Sequence, residues 1–247
     1  IVEDSGNTLA LLEKYTEKSQ LLDAVKYVDA IIIRSDKVTA EVVDAAQNLK
    51  IVVRAGAGYD NVDLAACTAR GIVVMNTPGQ NSNAVAELAI GMMIFMSRNQ
   101  FNPGTGSELS GKRLGIQAYG NIGQLVAKYG KALGMTVYVY SSSIKDKSVF
   151  EKDGVTAIVV LEELYSNSDY LTNHNPANEQ TKKSVGYDRL SRMPKGATLV
   201  NAARKEIINE DGLLKVLEER QDLKYITDIA ADIQAELNEK FGKRVFS

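Results

Sequence analysis

The chain of 247 residues has one cysteine, one histidine and a net charge of only −2. A lone Cys67 excludes an internal disulfide and suits a reducing compartment. Beside Ala65 and Ala66 it reads as a small buried apolar side chain rather than a nucleophile. Near-neutral charge without a long basic run excludes the footprint of a nucleic-acid binder. The most apolar uncharged stretch, Leu88 to Met96, is too short to span a bilayer. With no signal-peptide pattern, a cytosolic protein without a membrane partner is expected. No metal-ligand spacing and no nucleophile elbow occur, so no metal is expected.

What the chain does have is alternation. Hydrophobic residues make up 45% of it, enough for one large core or two modest ones. Short apolar runs at Thr8–Leu12, Ala30–Ile33, Ile51–Val53 and Ile72–Met75 predict strands. Helical patterns at 19–26, 40–47 and 63–70 lie between them. A longer helical pattern, 83–98, carries Met92, Met93 and Met96, which read as packing surface or a subunit contact. The second half repeats the scheme with strands at 114–118, 136–140, 157–160, 170–173, 198–201 and 224–227. The expected class is α/β: two doubly wound parallel-sheet (Rossmann-like) domains. The turn-rich Gln100–Ser107 marks the boundary, with substrate binding in 1–99 and dinucleotide binding in 100–247.

The glycine turn carries the most information. A buried run, Leu114 to Ala118, ends in a turn with Gly120 and Gly123 and opens a helix through Leu125 and Val126. Such a turn offers free N–H groups and a positive helix end to a pyrophosphate. Ala118 stands where the first glycine of Gly-x-Gly-x-x-Gly is usual, so a purely structural turn stays open. About 20 residues on, an acid is expected for the ribose hydroxyls. Here the chain reads Tyr140-Ser141-Ser142-Ser143, with Lys145 and Lys147 close by, so NADP stays open beside NAD.

Other candidates follow strands, where ligands gather in open parallel sheets. Arg54 supplies a forked cation, and Gly56, Ala57 and Gly58 allow close backbone approach to an anion. The loop after the next strand brings Thr77, Asn81 and Ser82, with helix capping as the alternative role. Arg204, ending Val200-Asn-Ala-Ala-Arg204, is placed to clamp a carboxylate and polarise a carbonyl in the crevice between the halves. Asp228 and Asp232 close the next strand, and Asp232 is alternatively a cap for the helix over 234–241. His174, in Asn173-His-Asn-Pro176, reads as part of a loop whose backbone touches the cofactor, not as a catalyst.

These residues resemble the D-isomer-specific 2-hydroxyacid dehydrogenases over nearly the whole chain. The resemblance rests on Arg54-Ala-Gly-Ala-Gly-Tyr-Asp-Asn-Val-Asp63, Asn76-Thr-Pro-Gly, Asn81 through Glu87, Gly115 to Gly123, Pro176, and Met193 through Arg204. It implies hydride transfer between a nicotinamide and C2 of a small 2-hydroxy acid, in a homodimer. Arg54, Gly56, Ala57, Gly58 and Asn81 would hold the acid, and Arg204 with Asp232 would serve catalysis. Gly120, Asn121 and Ile122 would cradle the pyrophosphate. Thr77, Ser141, Asn175, Pro176, Ala202, Ala203 and Asp228 would complete the cofactor site. Departures are Ile233 where the acidic partner is usual, with Asp232 the substitute, and Lys205 where glycine usually follows the arginine. The general base would lie beyond Ser247, so a piece of a longer polypeptide is expected. Rival readings are an enzyme acting on an unphosphorylated acid and a non-catalytic NAD(H)-sensing protein of the same fold.

Overall fold

The structure is a computed structural model that describes residues 2–144, 146 and 148–247. The chain divides into two compact units, Ile1–Asn81 and Ser82–Ser247. The first contains α1 (Lys18–Val25), β1 (Ala30–Ile33), α2 (Ala40–Ala45), β2 (Ile51–Arg54), α3 (Leu64–Ala69) and β3 (Val73–Asn76). Its strands form a parallel sheet in the order β1-β2-β3. Thr39 and Asp63 start α2 and α3 as side-chain caps, accepting from the N–H groups of Val42 and Ala66. Val43, Val52 and Cys67 lie at the centre of this core. Burial pushes the Cys67 thiol up, with Asp63 adding to it, so the residue is the inert apolar side chain expected.

Thr8–Leu12, expected as a strand, pairs with nothing. Leu11 is 74% exposed and Leu9 and Leu12 are also exposed, because among the described residues no neighbouring strand pairs with the segment.

The second unit opens with α4 (Ser82–Ser97) and β4 (Arg113–Gln117), then α5 (Asn121–Ala132), β5 (Thr136–Tyr140), α6 (Ser148–Lys152) and β6 (Thr156–Ala157). It continues through α7 (Leu161–Ser166), β7 (Tyr170–Asn173), α8 (Tyr187–Leu190) and β8 (Thr198–Asn201). It closes with α9 (Glu210–Glu219), β9 (Lys224–Thr227), α10 (Gln234–Phe241) and β10 (Val245–Phe246). Seven parallel strands lie in the order β10-β9-β8-β7-β4-β5-β6. One cluster of buried residues joins α4 and α5 to β4 and β5, and a second joins α7 and α9 to β7, β8 and β9. Met92, Met93 and Met96 are buried inside the first cluster, so they serve the unit's own core. That packing places α4 with the second unit, ahead of the turn-rich 100–107 segment.

β6 is shorter than the expected 157–160 run. Val160 instead takes the N-cap position of α7, and Val159 is exposed. No described helix is long and apolar enough to cross a membrane.

Candidate functional site

In the second unit the strands are added outward from β4 through β5 to β6, then resume on the other side with β7. This makes the carboxyl ends of β4 and β7 a topological switch point, where open α/β sheets bind ligands. Register sharpens the picture. Tyr140, Gln117, Asn173, Asn201 and Thr227 form one row across β5, β4, β7, β8 and β9. The residues just beyond that row are Ser141, Ala118, His174, Ala202 and Asp228. Five loops therefore leave one sheet edge together, and they carry most of the expected cofactor residues.

The glycine turn sits at the centre. Ala118 takes φ +78°, a conformation normally left to glycine. A Cβ on Gly123 would collide with the Ala118 carbonyl oxygen, so this glycine lets α5 pack against the turn. Gly120 differs. Its φ is −85°, and a Cβ there would meet nothing within 4 Å. No internal contact demands a glycine at this position; the open space is on the outside, where a bound pyrophosphate would lie. Gly120 caps α5 without a side chain, and the first helical bond runs from the Gln124 N–H to its carbonyl. The N–H groups of Asn121, Ile122 and Gly123 thus face out of the helix end.

The loop after β7 carries two orphaned polar atoms. Asn173 is fully buried; its Oδ1 accepts the Asn175 N–H at 2.8 Å while its Nδ2 has no partner. His174 Nε2 lies 3.1 Å from Thr172 Oγ1, and its buried Nδ1 is unpartnered. Burial lowers the imidazole pKa from 6.5 to about 4, so the ring is neutral. Unsatisfied buried groups beside an open helix end fit a polar ligand. Pro176 follows in the same loop and is exposed.

The loop after β8 is held from within. Asn201, 1% exposed, accepts the Ala203 N–H at 3.3 Å and donates its Nδ2 to the Arg204 carbonyl at 3.1 Å. The Asn201 carbonyl accepts from the Asp228 N–H and from Thr227 Oγ1, both at 3.1 Å. Ala202 is buried, while Ala203 and Arg204 are half-buried. Asp232 is exposed and forms an ion pair with Lys205; it does not cap α10, whose N-cap position is Ile233. At β5 the Ser141 and Ser143 hydroxyls lie 3.2 Å apart where an acid is usual. Lys145 and Lys147 lie outside the described residues.

The first unit presents its own site at the ends of β2 and β3, where Arg54 pairs in register with Asn76. The Arg54 guanidinium folds over Gly56, and a Cβ there would collide with it. Arg54 Nε is buried without a partner. The Thr77 N–H donates to the Gly56 carbonyl at 3.0 Å, and Asn76 Nδ2 to the Ala57 carbonyl at 2.7 Å. These bonds tie the Gly56–Gly58 and Thr77 loops together. Asn81 is exposed.

The row Gln117, Asn173, Asn201 and Thr227 escapes sequence reasoning that looks for charged groups. Its signal was a buried polar residue closing each of four apolar strands.

Fold and strand-end loops together define the class of doubly wound, dinucleotide-binding α/β proteins. Residues 85–243 match the family model described as "D-isomer specific 2-hydroxyacid dehydrogenase, NAD binding domain". The chain belongs to the D-isomer specific 2-hydroxyacid dehydrogenase family. It is 38% identical over 216 residues to a D-3-phosphoglycerate dehydrogenase of Methanocaldococcus jannaschii, covering 82% of this chain and 41% of that one. It is 36% identical over 219 residues to a hydroxypyruvate reductase of Thermotoga maritima, covering 83% and 70%. A crystal structure of NAD+-bound 3-phosphoglycerate dehydrogenase from Entamoeba histolytica superimposes with a TM-score of 0.91 at 42% identity, covering 99% of this chain and 78% of that one. The chain spans about two fifths of the length of the Methanocaldococcus relative.

Proposed function

We propose that the chain serves the nicotinamide-dependent oxidation of 3-phospho-D-glycerate to 3-phosphohydroxypyruvate, in serine biosynthesis. The observation that carries this reading is the row of strand-end loops, with Gly120 open at the end of α5 and Arg204 held in the loop after β8. Similarity to relatives named D-3-phosphoglycerate dehydrogenase supports the substrate.

A bound nicotinamide dinucleotide supplies the acceptor for the two electrons and hydrogen that leave C2 as hydride. The helix-end N–H groups of Asn121 and Ile122 would hold its pyrophosphate, and the loops at Ser141, Asn175, Pro176, Ala202, Ala203 and Asp228 would orient its sugars and ring. Arg204 fixes the substrate carboxylate in its planar fork. Arg54, with the Gly56, Ala57 and Gly58 backbone and Asn81, binds the phosphate end. The hydroxyl proton passes to a base. His174 does not fill that role, since burial disfavours its protonated form and makes it a weak base, and Nε2 is engaged with Thr172.

NAD is the family domain's cofactor. The Ser141 hydroxyl in place of a carboxylate supports NADP as a second possibility. Likeness to a hydroxypyruvate reductase supports an unphosphorylated acid as the alternative substrate. Homodimeric assembly in the cytosol belongs to the same proposal.

The test is turnover followed at 340 nm, with 3-phosphoglycerate against D-glycerate and NAD against NADP. Replacing Arg54→Gln should raise KM for the phosphorylated acid far more than for glycerate; equal effects would remove the phosphate assignment. Cofactor binding without turnover by the full-length protein would replace the enzyme with a sensor.

A further inference from the structure

Lys205 follows Arg204 directly and opens a single 3-10 turn, Lys205–Ile207. Its ammonium reaches across to the next loop and pairs with the Asp232 carboxylate. Asp232 is itself anchored, its N–H donating to Glu210 Oε1 at 2.8 Å from the first turn of α9. On the other side of Arg204, Asn201 grips the Arg204 carbonyl. The arginine thus sits between two fixed points, one a buried amide and the other a cross-loop ion pair. The Asp232 hydrogen bond is the main influence raising the Lys205 pKa, with Glu206 and Glu210 adding negative potential around it. Nothing else in the loop joins residues 205–207 to the segment after β9 through side chains, among the described contacts.

We propose that Lys205 is a positioning residue whose ion pair with Asp232 straps the loop carrying Arg204 to the loop that begins at Asp228. The strap acts on substrate through Arg204 and rests on the reading of Arg204 as the carboxylate clamp. Asp232, on this view, serves the site by holding Lys205 and not by exchanging protons. Asp232 is exposed and the pair is open to solvent, so its effect is modest: solvated ion pairs shift an equilibrium by up to about fivefold.

The test uses the full-length protein and four variants. Lys205→Met should raise KM for the 2-hydroxy acid about threefold to fivefold, with kcat and the Kd for NAD nearly unchanged. Lys205→Arg should restore KM. Asp232→Asn should match Lys205→Met, and the double variant should add nothing further. Additive losses, or a Lys205→Arg variant that fails to restore KM, would overturn the strap. Hydrogen exchange separates this from the enzyme reading. If no 2-hydroxy acid turns over, the function is wrong, but the strap still requires faster exchange at 202–207 and 228–233 together in Lys205→Met. Unchanged exchange in both segments overturns it whatever the activity.

Discussion

Gly123 packs its bare Cα against the carbonyl oxygen of Ala118, and Ala118 holds a left-handed conformation at φ +78°. The two positions have opposite demands. Ala118 carries a side chain where the backbone favours none, whereas Gly123 lacks one where none fits. Replacing Ala118→Gly should therefore stabilise the cofactor-free protein by about 0.5–1 kcal/mol, read from the urea midpoint, because the left-handed penalty exceeds the added chain entropy. Gly123→Ala should push α5 off the turn and weaken NAD binding at least tenfold. An Ala118→Gly variant that is less stable than the parent would contradict the backbone described.

Gly120 permits a cleaner separation of folding from binding. Its φ is compatible with any L-residue, and a Cβ there touches nothing in the protein. Gly120→Val should lower stability, read from the urea midpoint, by only about 1 kcal/mol, the cost of a poorer N-cap residue. It should nevertheless reduce NAD affinity, measured by calorimetry, by a factor of ten or more. Unaltered affinity would move the pyrophosphate away from the α5 end.

Much of this was legible beforehand. Strands at 136–140, 170–173, 198–201 and 224–227 coincide with the expected runs because each is a short run of β-branched, aromatic and other apolar residues that fits inside the sheet. The helix over 234–241 is likewise found with its expected bounds. Thr8–Leu12 failed because apolar content alone does not supply a paired neighbour. Val160 failed as strand because a β-conformation residue there serves to start α7. At the site, Gly120 and Arg204 were visible as types at strand ends. The Lys205–Asp232 pair was not, since two residues 27 positions apart meet only once β8 and β9 are neighbours.

Asn201 offers a test of the row of buried polar residues. Its amide closes the Ala203–Arg204 turn and its carbonyl receives two donors from β9. Asn201→Ala leaves the carbonyl bonds but strands the Ala203 N–H and the Arg204 carbonyl, at a cost of about 1–3 kcal/mol. The expected outcome is a loss in kcat/KM of at least tenfold with NAD affinity reduced less. Asn201→Asp should keep the Ala203 bond but bury a carboxylate oxygen against the Arg204 carbonyl, so it should lose at least as much as Asn201→Ala. If both variants behave like the parent, Arg204 is not held from Asn201.

His174 should leave a signature in the pH dependence of stability. Its buried Nδ1 has no partner, so a second ring proton would sit unpaired away from water, and the folded pKa falls from 6.5 to about 4. Above pH 6.5 neither state is protonated and the residue is neutral in the balance. Between pH 6.5 and 4 the unfolded chain takes up a proton that the folded one refuses, so stability declines as pH falls. The full loss is at most about 3 kcal/mol, and below pH 4 it does not grow. Asp222, whose carboxyl Arg220 holds below its ordinary range, weakens the fold only at lower pH, as it too becomes protonated. Urea titrations of the cofactor-free protein at pH 7, 5.5 and 4.5 should therefore show a decline that His174→Gln makes shallower, the remainder coming from carboxylates such as Glu162 whose folded state holds them below their ordinary range. A variant that retains the full slope would place the responsible group elsewhere and return His174 to an ordinary, solvated loop position.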